Sequence, residues 1–192
     1  MERAILISIR PEWVEKILNG KKTIEIRKSA PKEHGYKVYI YCTKRKLLSG
    51  KNVYINNKEK RNTLGVADHW GSNLETLLIN ENTAYEYETY KANGKVVAEF
   101  RLPPVEHIEQ HQVYNAQVLR KYAGLTIQQL GEYTKGKDFY AWHIEDLVVY
   151  DKPKELHEFG VYDVRWSKAR KCEMPGWFPL KRPPQSWCYV EK

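Results

Sequence analysis

An α+β fold is predicted by three features of the 192-residue chain. Short runs of β-branched and aromatic residues recur along it, apolar stripes at helical spacing are few and brief, and glycine or proline punctuates the joints. The first run, Ala4-Ile5-Leu6-Ile7-Ser8-Ile9, is apolar throughout most of its length and reads as a buried strand. Pro11 follows where a helix can begin, because the first turn tolerates its missing N–H. Trp13, Val14, Ile17 and Leu18 then form one stripe of a short helix, and Gly20 is the expected stop.

Residues 20–27, Gly-Lys-Lys-Thr-Ile-Glu-Ile-Arg, are the most informative stretch. On a strand Ile24 and Ile26 share one face, while Thr23, Glu25 and Arg27 share the other. Glu25 and Arg27 stand about 6–7 Å apart along it, close enough to pair or to grip one polar ligand, and Lys22 at the turn can bend toward the same spot. The alternative is a solvated strand face with a weak ion pair.

The next elements follow the same logic. Tyr36 to Cys42 alternates and is rich in β-formers. The segment from Lys44 to Arg61 holds Lys44, Arg45, Lys46, Lys51, Lys58, Lys60 and Arg61 and reads as a protruding hairpin or mobile loop. It is either a solvated insertion or a holder of phosphates, which basic side chains neutralise without reading sequence. Thr63–Ala67 predicts a strand, with an acidic, helix-like or irregular stretch after it to about Tyr90. Asn93-Gly94 is a turn before a strand over 95–101, closed by Pro103-Pro104. Residues 114–123 and 126–133 suggest two short helices around Gly124, 139–150 one long strand, and 153–159 a short helix. Tyr140 and Trp142 share a strand face; such rings are core residues or base-stacking surfaces. His143, on the other face, is a partly buried histidine or an acid–base group. Trp166, Trp177 and Trp187 read as a packed C-terminal segment, with Gln185 and Ser186 able to hydrogen-bond at a cleft mouth.

Charge is segregated along the chain. Residues 1–62 carry 16 Lys/Arg against 6 Asp/Glu, residues 63–164 carry 9 against 16, and residues 165–192 carry 7 against 2. Basic ends around an acidic middle suggest a polyanionic partner, the bland alternative being a solubilising charge. Cys42, Cys172 and Cys188 are too few and scattered for a disulfide framework and read as reduced thiols of a cytoplasmic protein. No Cys-x-x-Cys pair seeds a zinc site, and neither metal nor cofactor is expected. No apolar run suits a signal peptide or membrane span. Without repeats or a dividing linker, residues 1–192 read as a single domain with a basic insertion at about 44–62.

The opening order, with Ser8, Pro11, Gly20, Lys22, Glu25 and Arg27 in place, resembles the ASCH (activating-signal-cointegrator homology) family, a branch of the PUA-like superfold. The resemblance continues in Tyr140-Ala-Trp-His-Ile144, in the block from Asp151 to Phe159 and in the tail from Arg182 to Val190, which look like those of prophage and bacterial members. It implies a mixed, mainly antiparallel β-barrel with peripheral helices, and a nucleic-acid or nucleotide-binding module, with RNA foremost. Lys22 and Arg27 would neutralise phosphate and Glu25 would hydrogen-bond a base or sugar edge; Ser8, Thr23, Tyr140, Lys44, Arg45 and Lys46 complete the expected ligand-binding set. The alternative is hydrolysis. Small bacterial members that deacylate N4-acetylcytidine use a lysine, a threonine and a glutamate, and ribonuclease activity has been attributed to others. Lys22 matches that lysine, but Glu25 occupies the threonine position, so only Lys22 and Glu25 stand as catalytic candidates, with Glu25 as a general base to water.

Overall fold

A computed structural model describes residues 3–47, 50, 52–56, 63–67, 89–111 and 117–191. Its elements are β1 (Arg3–Ile9), α1 (Pro11–Leu18), β2 (Ile24–Arg27), β3 (Lys37–Cys42), β4 (Asn52–Asn56), β5 (Thr63–Ala67), β6 (Thr89–Lys91), β7 (Val96–Arg101), β8 (Glu106–Ile108), α2 (Gln117–Ala123), α3 (Ile127–Thr134), β9 (Phe139–His143), β10 (Glu145–Lys154), β11 (Gly160–Ser167), β12 (Cys172–Pro179) and β13 (Trp187–Glu191). The fold is α+β, with mainly antiparallel sheets and few helices. A seven-stranded sheet runs β10-β7-β3-β1-β13-β11-β12, and two three-stranded sheets run β2-β9-β8 and β5-β4-β6. Among the described strands only β1 and β3 pair parallel, with Ile7 beside Ile40. These ladders leave three open sheets, and they do not themselves close a barrel.

β1 lies at the middle of the large sheet, which explains its unbroken apolar sequence. Ile5, Ile7 and Ile9 face one core with Val38, Ile40, Phe100 and Trp142, while Ala4 and Leu6 face a second with Tyr39, Tyr41, Phe159 and Val190. A strand covered on both sides has no polar face to alternate. α1 packs Val14, Ile17 and Leu18 into the first core. Gly20, at φ +69, then reverses the chain in a conformation side-chain-bearing residues resist. The N–H groups of Lys21 and Lys22 both return to Lys16 O, at 2.8 and 3.0 Å, and this turn delivers Lys22 to the start of β2.

Four expectations need correction. The long strand over 139–150 is two strands: β9 pairs with β2, a pairing that Ile144 N–H to Thr23 O continues by one residue, and from Glu145 the chain pairs with β7 as β10 at the edge of the large sheet. The helix over 153–159 is a single 3-10 turn, Leu156–Glu158, after strand pairing that persists to Lys154. Of the protruding hairpin or mobile loop expected over 44–61, residues 52–56 form a hairpin strand paired with β5, but it is also paired with β6 and buries Val53 and Ile55 in the core rather than protruding. The C-terminal segment is three strands, and Trp166 is 63% exposed rather than packed. The predicted acidic stretch after Ala67 lies mostly outside the described residues, as does the start of the helix predicted at 114. α3 begins where Thr126 closes a capping box with Gln129.

Candidate functional site

Every residue of β2 is buried, including both charged ones. Glu25 and Arg27 face Trp142 and Tyr140 across the ladder to β9 and turn inward, away from solvent. Their burial is made tolerable by a chain of charge-assisted contacts. Lys22 Nζ, 2% exposed, donates to Ile24 O at 2.8 Å and Ala123 O at 2.7 Å and sits 3.1 Å from Glu25 Oε2. Glu25 Oε1 lies 3.1 Å from Arg27 Nη2, which also donates to Ser8 O at 2.7 Å. Arg27 Nη1 reaches Ser186 Oγ at 3.3 Å.

An ammonium has three protons to donate, and Lys22 has three partners for them. Burial pushes its pKa below the ordinary lysine value, while Glu25 pulls it back up. Lys22 thus ties the α2 end, through Ala123, to β2. Thr23 is exposed, holds Tyr122 O and Ile144 N through its backbone, and takes no part in the cleft wall. A lysine-activated threonine hydroxyl is therefore not assembled at these positions.

Arg27 opens onto a cleft of about 1000 Å³. Its walls come from the C-terminal end of β1 (Ser8, Ile9, Arg10), the first turns of α1 (Glu12, Trp13, Lys16), Lys22, Glu25 and Arg27, the segment after β3 (Thr43, Arg45), α3 (Gln129, Glu132, Tyr133) and Pro183 to Ser186. Five cations (Arg10, Lys16, Lys22, Arg27, Arg45) face three carboxylates (Glu12, Glu25, Glu132), so the cavity favours an anion. Among the described residues three buried side-chain polar atoms, Ser8 Oγ, Arg27 Nε and Thr43 Oγ1, have no hydrogen-bond partner, and all three belong to residues of this wall. Leaving such a group unpaired costs about 1–3 kcal/mol.

The cleft brings together Ser8, Lys22, Glu25, Arg27 and Arg45 of the expected set, along with Gln185 and Ser186. It does not include Thr23, Tyr140, Lys44 or Lys46. Tyr140 stacks instead near His107, with ring centres 5.1 Å apart, and the Lys44 stem lies over Gly94. His143 is held by Glu106, 3.3 Å away, outside the wall. Arg10, Trp13, Lys16, Thr43 and Tyr133 are wall residues that the sequence does not announce. Arg10 and Trp13 bracket Pro11 at the helix start, which is the one local signal that marks them. The chain holds one His-x-x-x-His spacing, but His107 turns to Asp138 and His111 to Glu109. Among the described residues no group of three or more His, Cys, Asp and Glu is placed to hold a metal ion, and no helix is long and apolar enough to cross a membrane.

The fold and site define an α+β domain whose strand–helix–strand opening lines a cationic cleft. The family follows from comparison: the ASCH domain model matches residues 7–155, and the chain belongs to the ASCH domain family. Its backbone resembles crystal structures of ASCH from Zymomonas mobilis. A tyrosine-to-phenylalanine mutant of that protein is 16% identical with TM-score 0.50, covering 100% of this chain and 92% of that one. A serine-to-alanine mutant gives 16%, 0.50, 98% and 89%. The structure of ASCH from Zymomonas mobilis without either mutation gives 17%, 0.49, 98% and 88%. At these identities the likeness concerns the fold alone. No curated protein matches the chain.

Proposed function

We propose that the cleft binds one nucleotide unit of single-stranded RNA, and that residues 1–192 act as a single PUA-like binding domain, its sheets together playing the part of the family's barrel. The observation that carries this reading is the trio of unpaired buried groups. Ser8 Oγ, Arg27 Nε and Thr43 Oγ1 sit in a wall that carries excess positive charge and the positive end of α1. All three are donors, the chemistry that the oxygens of a phosphate accept. Arg10, Lys16 and Arg45 add positive charge, and Trp13 and Tyr133 offer ring faces to a base. Glu25 keeps Arg27 aimed, so its own role is to position the guanidinium; Lys22 holds Glu25.

Binding is favoured over hydrolysis of a modified nucleoside because the Lys22 protons are engaged and Thr23 faces outward. Thr43→Val tests the reading, since it deletes an unpaired hydroxyl and keeps the shape. Native-like thermal stability with at least about a fivefold loss of affinity for an oligoribonucleotide, followed by fluorescence anisotropy, is the expected result. Unchanged affinity in Thr43→Val and in Arg45→Ala, or release of shortened RNA during the titration, would overturn it.

A further inference from the structure

The hairpin of β11 and β12 takes no part in the cleft. β11 meets β13 only where Gly160 faces Glu191; beyond that pair it is laddered to β12, from Gly160–Pro179 out to Ser167–Cys172. Its base is a fixed joint. Trp177 Nε1 donates to Glu191 O at 3.1 Å, and the indole lies so close over Gly160 that a Cβ there would stand 2.4 Å from Trp177 Cε2. One face is stiffened as well: the Arg165 guanidinium sits 4.0 Å from the centre of the Phe178 ring, and Arg165 Nε donates to Asp163 Oδ2 at 3.2 Å.

The other face is bare. Tyr162, Val164 and Trp166 follow one another at two-residue spacing on β11, opposite Trp177, Pro175 and Glu173 on β12, and all six are exposed. Single exposed apolar residues are ordinary, but a contiguous group with three aromatic rings marks a contact surface. Lys168, Arg170 and Lys171 crown the tip, exposed and without an ion-pair partner among the described residues. The combination selects the occupant. Aromatic faces accept any base, unpaired cations take phosphates, and together they make a platform for single-stranded nucleic acid. A face built for a second copy of the chain would gain nothing from clustered cations at its end.

We propose that the β11–β12 hairpin is a second nucleic-acid contact, stacking bases of a single strand on Tyr162, Trp166 and Trp177 while Lys168, Arg170 and Lys171 neutralise its phosphates. It rests on the nucleic-acid reading of the cleft and extends that reading from one nucleotide to a strand. The hairpin base leads through Leu180 to the cleft wall at Pro183, so both contacts are parts of one continuous segment.

The test uses the full chain and a labelled oligouridylate of about 12 nucleotides, within the usual span of single-strand sites. Trp166→Ala should weaken binding at least about fivefold, the lower end for losing one stacked base. The triple variant Lys168→Ala, Arg170→Ala, Lys171→Ala should lower the slope of log affinity against log salt by about 2, near 0.7 for each phosphate contact. Uridine monophosphate, too short to span both contacts, should bind the native protein and both variants alike. Oligouridylate binding unchanged in both hairpin variants but lost in Arg45→Ala would remove this proposal and leave the cleft reading intact. Loss in the hairpin variants with none in Thr43→Val or Arg45→Ala would support the hairpin and remove the cleft. A native protein that dimerises through this face, becoming monomeric in Trp166→Ala without change in oligouridylate affinity, would overturn the proposal in favour of self-association.

Discussion

Replacing Lys22 by methionine separates a structural ammonium from a catalytic one. Methionine matches the stem in length and keeps the apolar contact, so the loss is confined to the three polar partners. Ile24 O and Ala123 O each lose a donor, at about 1–3 kcal/mol apiece when left unpaired. Glu25 keeps Arg27 but loses its second cation. Removing one member of a buried ion pair commonly costs about 3–5 kcal/mol, inside the span of about 2–6 kcal/mol that the two carbonyls give. With a urea slope of about 2 kcal/mol per molar, the unfolding midpoint should fall by about 1.5–2.5 M. Proton linkage supplies a second signature. The folded protein holds the Lys22 proton less tightly than the unfolded chain, because burial lowers its pKa from 10.5. Between the depressed value and 10.5 the unfolded state binds more protons, so native stability rises with pH through that alkaline window. Lys22→Met should lack the rise. A midpoint shift below about 0.5 M, or an alkaline rise retained in the variant, would refute the strut and return Lys22 to the list of reactive groups.

Gly160→Ala should destabilise the hairpin base by about 1–3 kcal/mol, because its Cβ would collide with Trp177 and with Phe178 O; near-ultraviolet circular dichroism should report the displaced indole. Thr126→Ala removes the α3 N-cap and should cost about 0.5–2 kcal/mol in thermal unfolding. Burial pushes the Cys42 thiol up to about 12 and Cys188 up to about 11, whereas Cys172 is exposed, so native protein at pH 8 should release one equivalent rapidly with a thiol reagent and the remainder only on unfolding. Fast modification of Cys42 in the native state would contradict its burial.

The first third of the fold is legible in sequence because its signals are local and agree with one another. The unbroken apolar run of β1, proline at N1 of α1, Gly20 and the β2 motif each fix one backbone choice without reference to distant residues. Elsewhere the deciding partner is far away. The strand divides at Ile144 because its partner changes there, from β2 up to Thr23 O to β7 from Glu145 onward, and both partners are distant in sequence. β12 carries Pro175 and Gly176, poor strand formers, and is held by its hairpin ladder to β11. The candidate site divides the same way. Lys22, Glu25 and Arg27 are visible because one short strand and the turn just before it carry all three. Arg10, Thr43 and Tyr133 belong to separate elements, and only tertiary packing brings them to one wall. Thr23 misleads because the regular alternation that would turn it toward Glu25 starts one residue later, at Ile24.

The placement of β1 has a consequence for synthesis on the ribosome. One of its neighbours, β3, emerges within about three dozen codons, but the other, β13, is encoded nearly 180 codons later. At about 5–20 residues per second the interval is roughly 10–40 s. Through that time the Arg3–Ile7 edge offers unsatisfied main-chain groups to any passing strand. Release of a truncated product lacking the last strand would leave that edge open permanently and remove Ser186, so nascent-chain quality control, rather than ligand affinity, would first sense a premature stop near residue 180.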